Sequence, residues 1–347
     1  MSSSSDRTNY SSQVFDDFIH NLHDVQLTFI VVEIAIGATT VIGSMIVLAL
    51  YYHTFQNSVR KKTSHKYFVA LAVSDLCQGL IVAPLAIFVS FGIRTNDPFC
   101  LESMSVAVTT IFISLFLMVG MSVDRYLAIT QPLKYLRVIT NRVTYTVIAS
   151  SWIGGIIVGV CLYYTAEISP NPERLCFVYT ERTSFVFNIC TVILFVIPSI
   201  LLFLFIYSKL YSVILKALTP STHSQTNALL ELGRIVIHKN SHKNLQTSNG
   251  GIKIREIRST VILFITIVIF LLSWVPGLVL LVIFRFFPGA SSLSGTLAVY
   301  ALAQLNSMIN PFLFVRNIKN AGTILRGWFM CGSCRHGETL IRSSSSS

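Results

Sequence analysis

Charged side chains are scarce in this sequence. Asp, Glu, Lys and Arg together make up 12% of its 347 residues, about half of the ~25% that is typical of soluble globular domains. Hydrophobic residues make up 53% of the chain, and its mean hydropathy is +0.67. This number of charged side chains is too small for the surface of a protein in water. We therefore exclude an ordinary soluble domain.

The apolar residues are gathered into seven long runs. A helix needs about 20 apolar residues to cross the hydrocarbon core of a bilayer, and open sheets cannot satisfy their backbone in lipid. We therefore predict an all-α membrane protein, a seven-transmembrane helix bundle with a short amphipathic helix after the last span. The runs are Val25–Tyr52, Tyr67–Ile93, Phe99–Ile129, Val143–Tyr164, Phe185–Leu215, Thr260–Phe287 and Leu293–Val315.

Positive charge is distributed unevenly between the two ends of these runs. The first, third and fifth connections with their adjoining helix ends hold four, four and eight lysines and arginines, and the C-terminal segment holds five. Because an excess of Lys and Arg marks the cytoplasmic side, we predict a multi-pass plasma-membrane protein with an extracellular N-terminus. This topology accounts for the net charge of +11, and we expect no nucleic-acid partner. The other segments hold only Arg7, Arg94, Arg174, Arg182 and Arg285.

The same pattern predicts the organisation of the chain. Residues 1–24 form an extracellular tail, and residues 25–316 form the bundle. The bundle includes a long polar cytoplasmic loop at residues 217–251, rich in Ser, Asn, His and Lys. Residues 317–347 form a cytoplasmic helix and tail.

The predicted topology assigns modifications to both sides of the membrane. Cys100 and Cys176 both face the oxidising exterior, so we predict a disulfide between them, the alternative being two free thiols. Asn9 begins an N-glycosylation tripeptide on the same side. Cys331 and Cys334 follow the last span inside the cell, where S-palmitoylation is expected.

No nucleophile–base pair and no metal-ligand spacing occurs within a run, so we do not expect an enzyme. A transporter or channel would need a continuous polar path or broken helices at mid-membrane. That alternative remains open on composition alone.

Asp124, Arg125 and Tyr126 end the third run on the cytoplasmic side. Charges this close to hydrocarbon are costly and tend to be functional or paired. Glu256 precedes the sixth run, and an Arg125–Glu256 ion pair would join the inner ends of two helices. The alternative is an ordinary arginine whose side chain extends to the interface. These residues alone support both interpretations equally.

Short motifs on nearly every run place this tripeptide in a wider pattern. Together they resemble the rhodopsin-like (class A) G-protein-coupled receptors, from about Gly37 to Met330. The motifs are LAVSDL at Leu71–Leu76, the spacing from Cys100 to Arg125, SVDRYLAITQPL at Ser122–Leu133, Trp152, Pro198, FLLSWVP at Phe270–Pro276 and NPFLF at Asn310–Phe314.

The resemblance implies a receptor that binds an extracellular ligand and activates a heterotrimeric G protein, with membrane lipids around it. Proline kinks in the fifth, sixth and seventh spans would let the inner halves of these helices move. Trp274 would couple the ligand to the kink, although it also fills the core. The implied activation switch consists of Asp124, Arg125, Tyr126, Glu256, Trp274, Pro276, Asn310, Pro311 and Phe314.

Asp75 places a carboxylate near the middle of the bilayer, which is costly without partners. In the family the corresponding polar cluster binds a sodium ion, and oxygen ligands suit a hard cation. The alternative is a protonated or hydrogen-bonded acid with water. We expect no other cofactor. The implied sodium ligands are Asp75, Ser114, Asn306, Ser307 and Asn310.

Two ligand classes lose their characteristic residue. Ala107 stands where amine receptors have an aspartate, and Gln304 stands where opsins have the lysine of the retinal Schiff base. The expected lining favours a neutral or lipid-like ligand, or a peptide that engages the acidic outer loops; a receptor with an atypical amine site is the alternative. The expected ligand-binding residues are Ala107, Val108, Ile111, Cys190, Leu194, Trp274, Gly277, Leu278, Leu281, Tyr300 and Gln304, together with Phe112 and Thr191.

Several positions depart from the family's pattern, including Ser273, which stands where the family has a cysteine. Ser44 stands where the family has an asparagine, and Phe314 lacks the hydroxyl of the family's tyrosine. Tyr207 lies one residue further from Pro198 than in the family. We therefore expect a bulge or a shift in the fifth span.

Overall fold

A computed structural model gives the fold of most of the chain. Several predicted features lie outside the residues that it describes: Cys176, Cys331, Cys334, the loop 217–251 except for residues 217–218, and the tail beyond residue 326. The side chains of Asn9, Glu256 and Leu281 are also outside them. The structure describes residues 4–56, 63–90, 98–165, 182–218, 254–287, 293–318 and 321–326.

The described residues are helical almost throughout and contain no strand, so the predicted all-α class is confirmed. A π-helical turn at Gln78–Val82 joins α2 to α3, and a second at Val192–Val196 joins α7 to α8. The α-helices are α1 (Ser4–Gln56), α2 (Thr63–Cys77), α3 (Ala83–Ser90), α4 (Pro98–Thr130), α5 (Pro132–Val138), α6 (Asn141–Thr165), α7 (Arg182–Thr191), α8 (Ile197–Leu218), α9 (Ile254–Phe286) and α10 (Leu293–Asn317).

Seven helical segments are long and apolar enough to cross a bilayer, in agreement with the seven predicted runs. α1 begins at Ser4, well before the predicted start of the first span. The second span is α2 and α3 with their π turn, and the fifth is α7 and α8 with theirs. The segments are Asp24–Thr54, His65–Phe88, Phe99–Thr130, Asn141–Thr165, Ile189–Val213, Ile257–Leu280 and Leu297–Asn317.

The third span is the central helix of the bundle, with Leu117, Met118 and Met121 fully buried. Glycines allow the fourth span to approach it closely. A Cβ built on Gly155 would lie 2.8 Å from the backbone nitrogen of Ile113. Small residues commonly permit such approaches between membrane helices.

A short helical segment at residues 321–326 follows α10, as predicted. Ile318 and Ala321 are buried, and Ile324 and Leu325 pack against the core. The apolar side of this segment therefore lies against the inner end of the bundle.

Candidate functional site

A cavity of about 270 Å³ lies between the third, fifth, sixth and seventh spans. Thr191, Trp274 and Tyr300 are the polar side chains among the residues that line it, and none of the lining residues is charged. The lining consists of Met104, Ala107, Val108, Ile111, Phe112, Leu115, Phe187, Thr191, Val192, Val196, Phe270, Leu271, Trp274, Val275, Gly277, Leu278, Leu280, Val299, Tyr300 and Ala303.

The cavity brings together most of the side chains that the sequence suggested as ligand contacts. Cys190 and Leu194 are exceptions, because both are exposed on the side of the fifth span that faces the bilayer, Leu194 by 64%. Gln304 is buried in a neighbouring polar cluster instead. The expected residues that do line the cavity are Ala107, Val108, Ile111, Phe112, Thr191, Trp274, Gly277, Leu278 and Tyr300.

The π turn at Val192–Val196 explains the direction of Leu194, whereas Cys190 lies before this turn. A π-helical turn closes its hydrogen bonds between residues i and i+5, so each turn contains more residues than an α-helical turn. A regular helix would have placed Leu194 close to the face of Thr191. The wider turn instead brings Val192 and Val196 to the cavity.

Aromatic rings surround the inner part of the cavity. Trp274 contacts Phe270 with ring centroids 6.3 Å apart, four residues apart on α9. Phe112 on the third span meets Phe195 on the fifth edge to face at 5.9 Å. Pro276 lies inside the same helix as Trp274. A ligand that displaces Trp274 would therefore act close to a weak point of the sixth span.

A chain of hydrogen bonds beside the cavity joins four spans, and the sequence analysis did not anticipate it. Gln304 Nε2 donates to Glu33 Oε2 at 3.3 Å. Gln78 Nε2 donates to Gln304 Oε1 at 2.6 Å, and Thr110 Oγ1 donates to Gln78 Oε1 at 2.5 Å. All four side chains are buried. A lone carboxylate in the otherwise uncharged first span was the signal that could have identified this cluster.

Tyr300 stands between this polar chain and the cavity. Its ring lines the cavity and packs edge to face on Phe29 at 6.2 Å, one turn before Glu33 on the first span. The other oxygen of Glu33, Oε1, is buried and accepts no hydrogen bond from the described residues. The carboxylate of Glu33 therefore lies close to the cavity but is separated from it by the side chain of Tyr300.

Two of the predicted sodium ligands, Ser307 and Asn310, contact Asp75 on the cytoplasmic side of the cavity. Asn310 Nδ2 donates to both oxygens of the fully buried Asp75 carboxylate, at 3.2 and 3.1 Å. Ser307 also contacts this carboxylate, and the Ser114 hydroxyl lies 3.1 Å from that of Ser74. The side-chain oxygens Oδ1 of Asn306 and Asn310 are buried and accept no hydrogen bond from the described residues.

This donor set fits a hard monovalent cation. It combines one carboxylate with hydroxyl and amide oxygens, which are the ligands that hard cations prefer. The two unsatisfied amide oxygens are the observation that favours an ion, because buried acceptors are normally paired. The five predicted residues would hold it.

Arg125 is buried at the inner end of the third span and is held by its own neighbour. Its Nε and Nη2 donate to Asp124 Oδ2 at 3.1 and 2.7 Å. Tyr135, on α5, donates from its hydroxyl to Asp124 Oδ1 at 3.1 Å. Sequence reasoning did not identify Tyr135. The predicted ion pair with Glu256 stays a prediction, because that side chain lies outside the described residues.

The seventh span carries the remaining predicted switch residues. Pro311 lies inside α10, where it removes a backbone hydrogen bond. Its ring is so close to the first span that a Cβ built on Gly43 would lie 2.8 Å from the Pro311 Cβ. Phe314 is fully buried and meets Phe68 edge to face at 5.1 Å. Phe314, which lacks the hydroxyl of the family's tyrosine, therefore contacts the second span through its ring.

The remaining departures also have structural consequences. The Ser44 hydroxyl is buried and makes no hydrogen bond with the described residues. Tyr207 packs on Phe264 of the sixth span with ring centroids 5.0 Å apart. The fifth span has a π turn before Pro198, but Pro198 and Tyr207 both lie in the regular helix Ile197–Leu218, so no bulge is present between them. Cys100 is disulfide-bonded, but its predicted partner Cys176 lies outside the described residues.

Comparison with known proteins agrees with this architecture. The adenosine receptor A3 of Canis lupus familiaris is 24% identical over 298 residues, which cover 84% of this chain and 88% of the relative. The adenosine receptor A2b of Gallus gallus is 24% identical over 321 residues, covering 86% and 87%. The adenosine receptor A3 of Bos taurus is 25% identical over 297 residues, covering 84% and 86%.

The family comparison covers most of the bundle. The profile described as "7 transmembrane receptor (rhodopsin family)" matches residues 43–314, which include every motif named in the sequence analysis. Its members are receptors rather than enzymes, in agreement with the prediction of no catalytic function. The chain belongs to the rhodopsin family of seven-transmembrane receptors.

Proposed function

We propose that this receptor binds an uncharged, largely apolar ligand in the extracellular half of the bundle and activates a heterotrimeric G protein at its cytoplasmic end. The observation that carries the ligand class is the lining of the cavity, with three polar side chains and no charge. A charged ligand would lose its hydration there without gaining an ion pair. A peptide would need more room than about 270 Å³ provides.

The names of the relatives indicate that those proteins bind adenosine. A nucleoside carries hydrogen-bonding groups on both its base and its sugar. This cavity offers only Thr191, Trp274 and Tyr300 as polar partners, and unmatched polar groups lower affinity. We therefore favour a lipid-like ligand, and adenosine belongs in the same screen as a direct comparison.

Activation would follow from differential binding. The ligand stabilises the active bundle only to the extent that it binds that state better. Movement at Pro276 and Pro311 would separate the inner ends of the helices and release Arg125 from Asp124. The freed guanidinium would then contact the G protein, with the N-terminus outside the cell and the basic loops inside.

Arg125→Ala tests the cytoplasmic part of this proposal. We expect loss of nucleotide exchange, because the variant lacks the guanidinium that meets the G protein. The measurement is uptake of a non-hydrolysable GTP analogue by purified heterotrimers. The receptor is reconstituted in lipid nanodiscs, and uncharged lipids and adenosine are tested in turn as ligands that stimulate the exchange.

Lys66→Ala is the matched control, since it removes another cation at the inner end of the bundle, whose Nζ donates to Asn141 Oδ1 at 2.8 Å. Full exchange by the Arg125 variant would contradict the assigned role.

Asp75→Asn tests the proposed sodium site. Sodium that binds only the folded receptor raises its unfolding temperature. We expect the wild type to unfold at a higher temperature in sodium chloride than in choline chloride, and the variant to lose this difference.

Glu33→Gln is the matched control. Like Asp75, Glu33 is a buried acid that accepts a hydrogen bond from a side-chain amide of the seventh span. This variant should still unfold at a higher temperature in sodium chloride than in choline chloride. A sodium effect that survives in Asp75→Asn would place the ion elsewhere.

A further inference from the structure

The cavity wall reaches the outer surface of the bundle between the fifth and sixth spans. Four lining residues lie on this side of the cavity, Val192 and Val196 on the fifth span and Leu271 and Val275 on the sixth, and we call them the lateral seam. Val275 lines the cavity and is nevertheless 44% exposed. The wall is therefore only one side chain thick at Val275, and we call this thin place the gap.

Both edges of the lateral seam are formed by bilayer-facing side chains. Ile193 and Leu194 are exposed on the fifth span, and Leu272 and Val279 are exposed on the sixth. These residues are large and apolar, and they lie within membrane-spanning segments. The gap therefore faces hydrocarbon, the phase in which an apolar molecule concentrates.

The two helices are irregular at the level of the gap. The π turn at Val192–Val196 widens the fifth span, and Pro276 interrupts the hydrogen bonds of the sixth. Nearer the cytoplasm the same helices are joined, because Tyr207 and Phe264 are in ring contact at 5.0 Å. The opening is thus confined to the outer half, where the cavity lies.

We propose that an uncharged ligand with a hydrocarbon chain enters the cavity sideways from the bilayer through the lateral seam. The occupant follows from the chemistry of the wall. The four seam residues are aliphatic, so they match the hydrocarbon chain of the ligand and have no polar side chain that would lose hydration as the ligand passes. The hydroxyls of Thr191 and Tyr300, further inside, would receive a neutral polar head such as an alcohol or ester.

This inference rests on the proposed ligand class, and its test does not depend on signalling. The probe is a monoacylglycerol with a photoreactive diazirine in its acyl chain, dissolved in phosphatidylcholine nanodiscs that contain the full-length receptor. Brief illumination at successive times after mixing gives the rate at which the third-span peptide that contains Phe112 becomes labelled. Mass spectrometry identifies the labelled peptide.

Val275→Trp and Val196→Trp should narrow the lateral seam and slow labelling of that peptide about tenfold, which corresponds to a barrier raised by about 1.4 kcal/mol. Leu204→Trp is the matched control, because Leu204 is 64% exposed on the fifth span, does not line the cavity and is not one of the residues at the edges of the lateral seam. It should label at the wild-type rate. Val275→Ala, which widens the gap without adding bulk, should label faster.

Wild-type labelling rates in both seam tryptophan variants would overturn the lateral route, and so would the absence of third-span labelling in the wild type. If the tryptophan variants do not fold, an unchanged rate in Val275→Ala overturns it equally. Loss of exchange in Arg125→Ala together with unaltered labelling in the seam variants would leave G-protein coupling supported and exclude only this route.

Discussion

Glu33 and Asp75 are both carboxylic acids buried among membrane helices, and each is bound by the side-chain amide of a residue on the seventh span. Burial of either group without partners would cost several kcal/mol. Glutamine and asparagine are suitable partners because one amide both donates and accepts. Gln78 uses both functions, since it donates to Gln304 and accepts from Thr110.

Gln78→Leu should therefore destabilise the receptor. The variant leaves the Gln304 carbonyl buried without its donor, and an unsatisfied buried group costs about 1–3 kcal/mol. The measurement is thermal unfolding of the purified receptor in detergent. Gln131→Leu is the control, since Gln131 is exposed and makes no capping hydrogen bond at the start of α5. Equal unfolding temperatures for the two variants would show that the hydrogen-bond chain contributes nothing.

At the scale of whole helices, the third and fourth spans approach each other closely at Gly155. The backbone oxygen of Thr109 would lie 2.9 Å from a Cβ on Gly155, so a glycine is required at that position. The glycine is needed because the third span lies so close, and not because of the backbone conformation at Gly155 itself. Sequence periodicity alone therefore could not identify it.

Gly155→Val should separate the third and fourth spans and lower the unfolding temperature. Added bulk in a packed interface typically costs about 1–3 kcal/mol. Ala149→Val makes a comparable addition on an exposed side of the same helix and should unfold like the wild type. A Gly155 variant as stable as the Ala149 variant would contradict the close contact.

The fifth span shows why element boundaries were predictable and side-chain directions were not. Its apolar run predicted a membrane helix, but a regular helical repeat placed Cys190 and Leu194 toward the ligand. Both residues face the bilayer. The π turn changes the phase of the helix after Thr191 and so redirects Leu194, whereas Cys190 precedes it. The position of Tyr207 relative to Pro198 had indicated an irregularity after the proline, where the helix is regular.

For the whole molecule, orientation is the property on which the proposed function depends. We expect an antibody to reach a tag placed within residues 1–24 on intact cells. A tag within residues 217–251 should be reached only after permeabilisation, because the basic segments lie inside the cell. The measurement is antibody binding by flow cytometry, with and without detergent. Binding to the loop tag on intact cells would reverse the topology and exclude G-protein coupling at Arg125.

The sequence by itself determined the number of spans, the helical class and the family. These properties follow from local patterns, since twenty apolar residues must form a helix in lipid and each motif occupies its own span. Only the tertiary structure decided which side chains meet. Gln304 pairs with Glu33, Phe314 packs on Phe68, and Val275 lies at once in the cavity and at the bilayer. Such contacts depend on how helices rotate and approach one another, and short-range sequence patterns do not encode those variables directly.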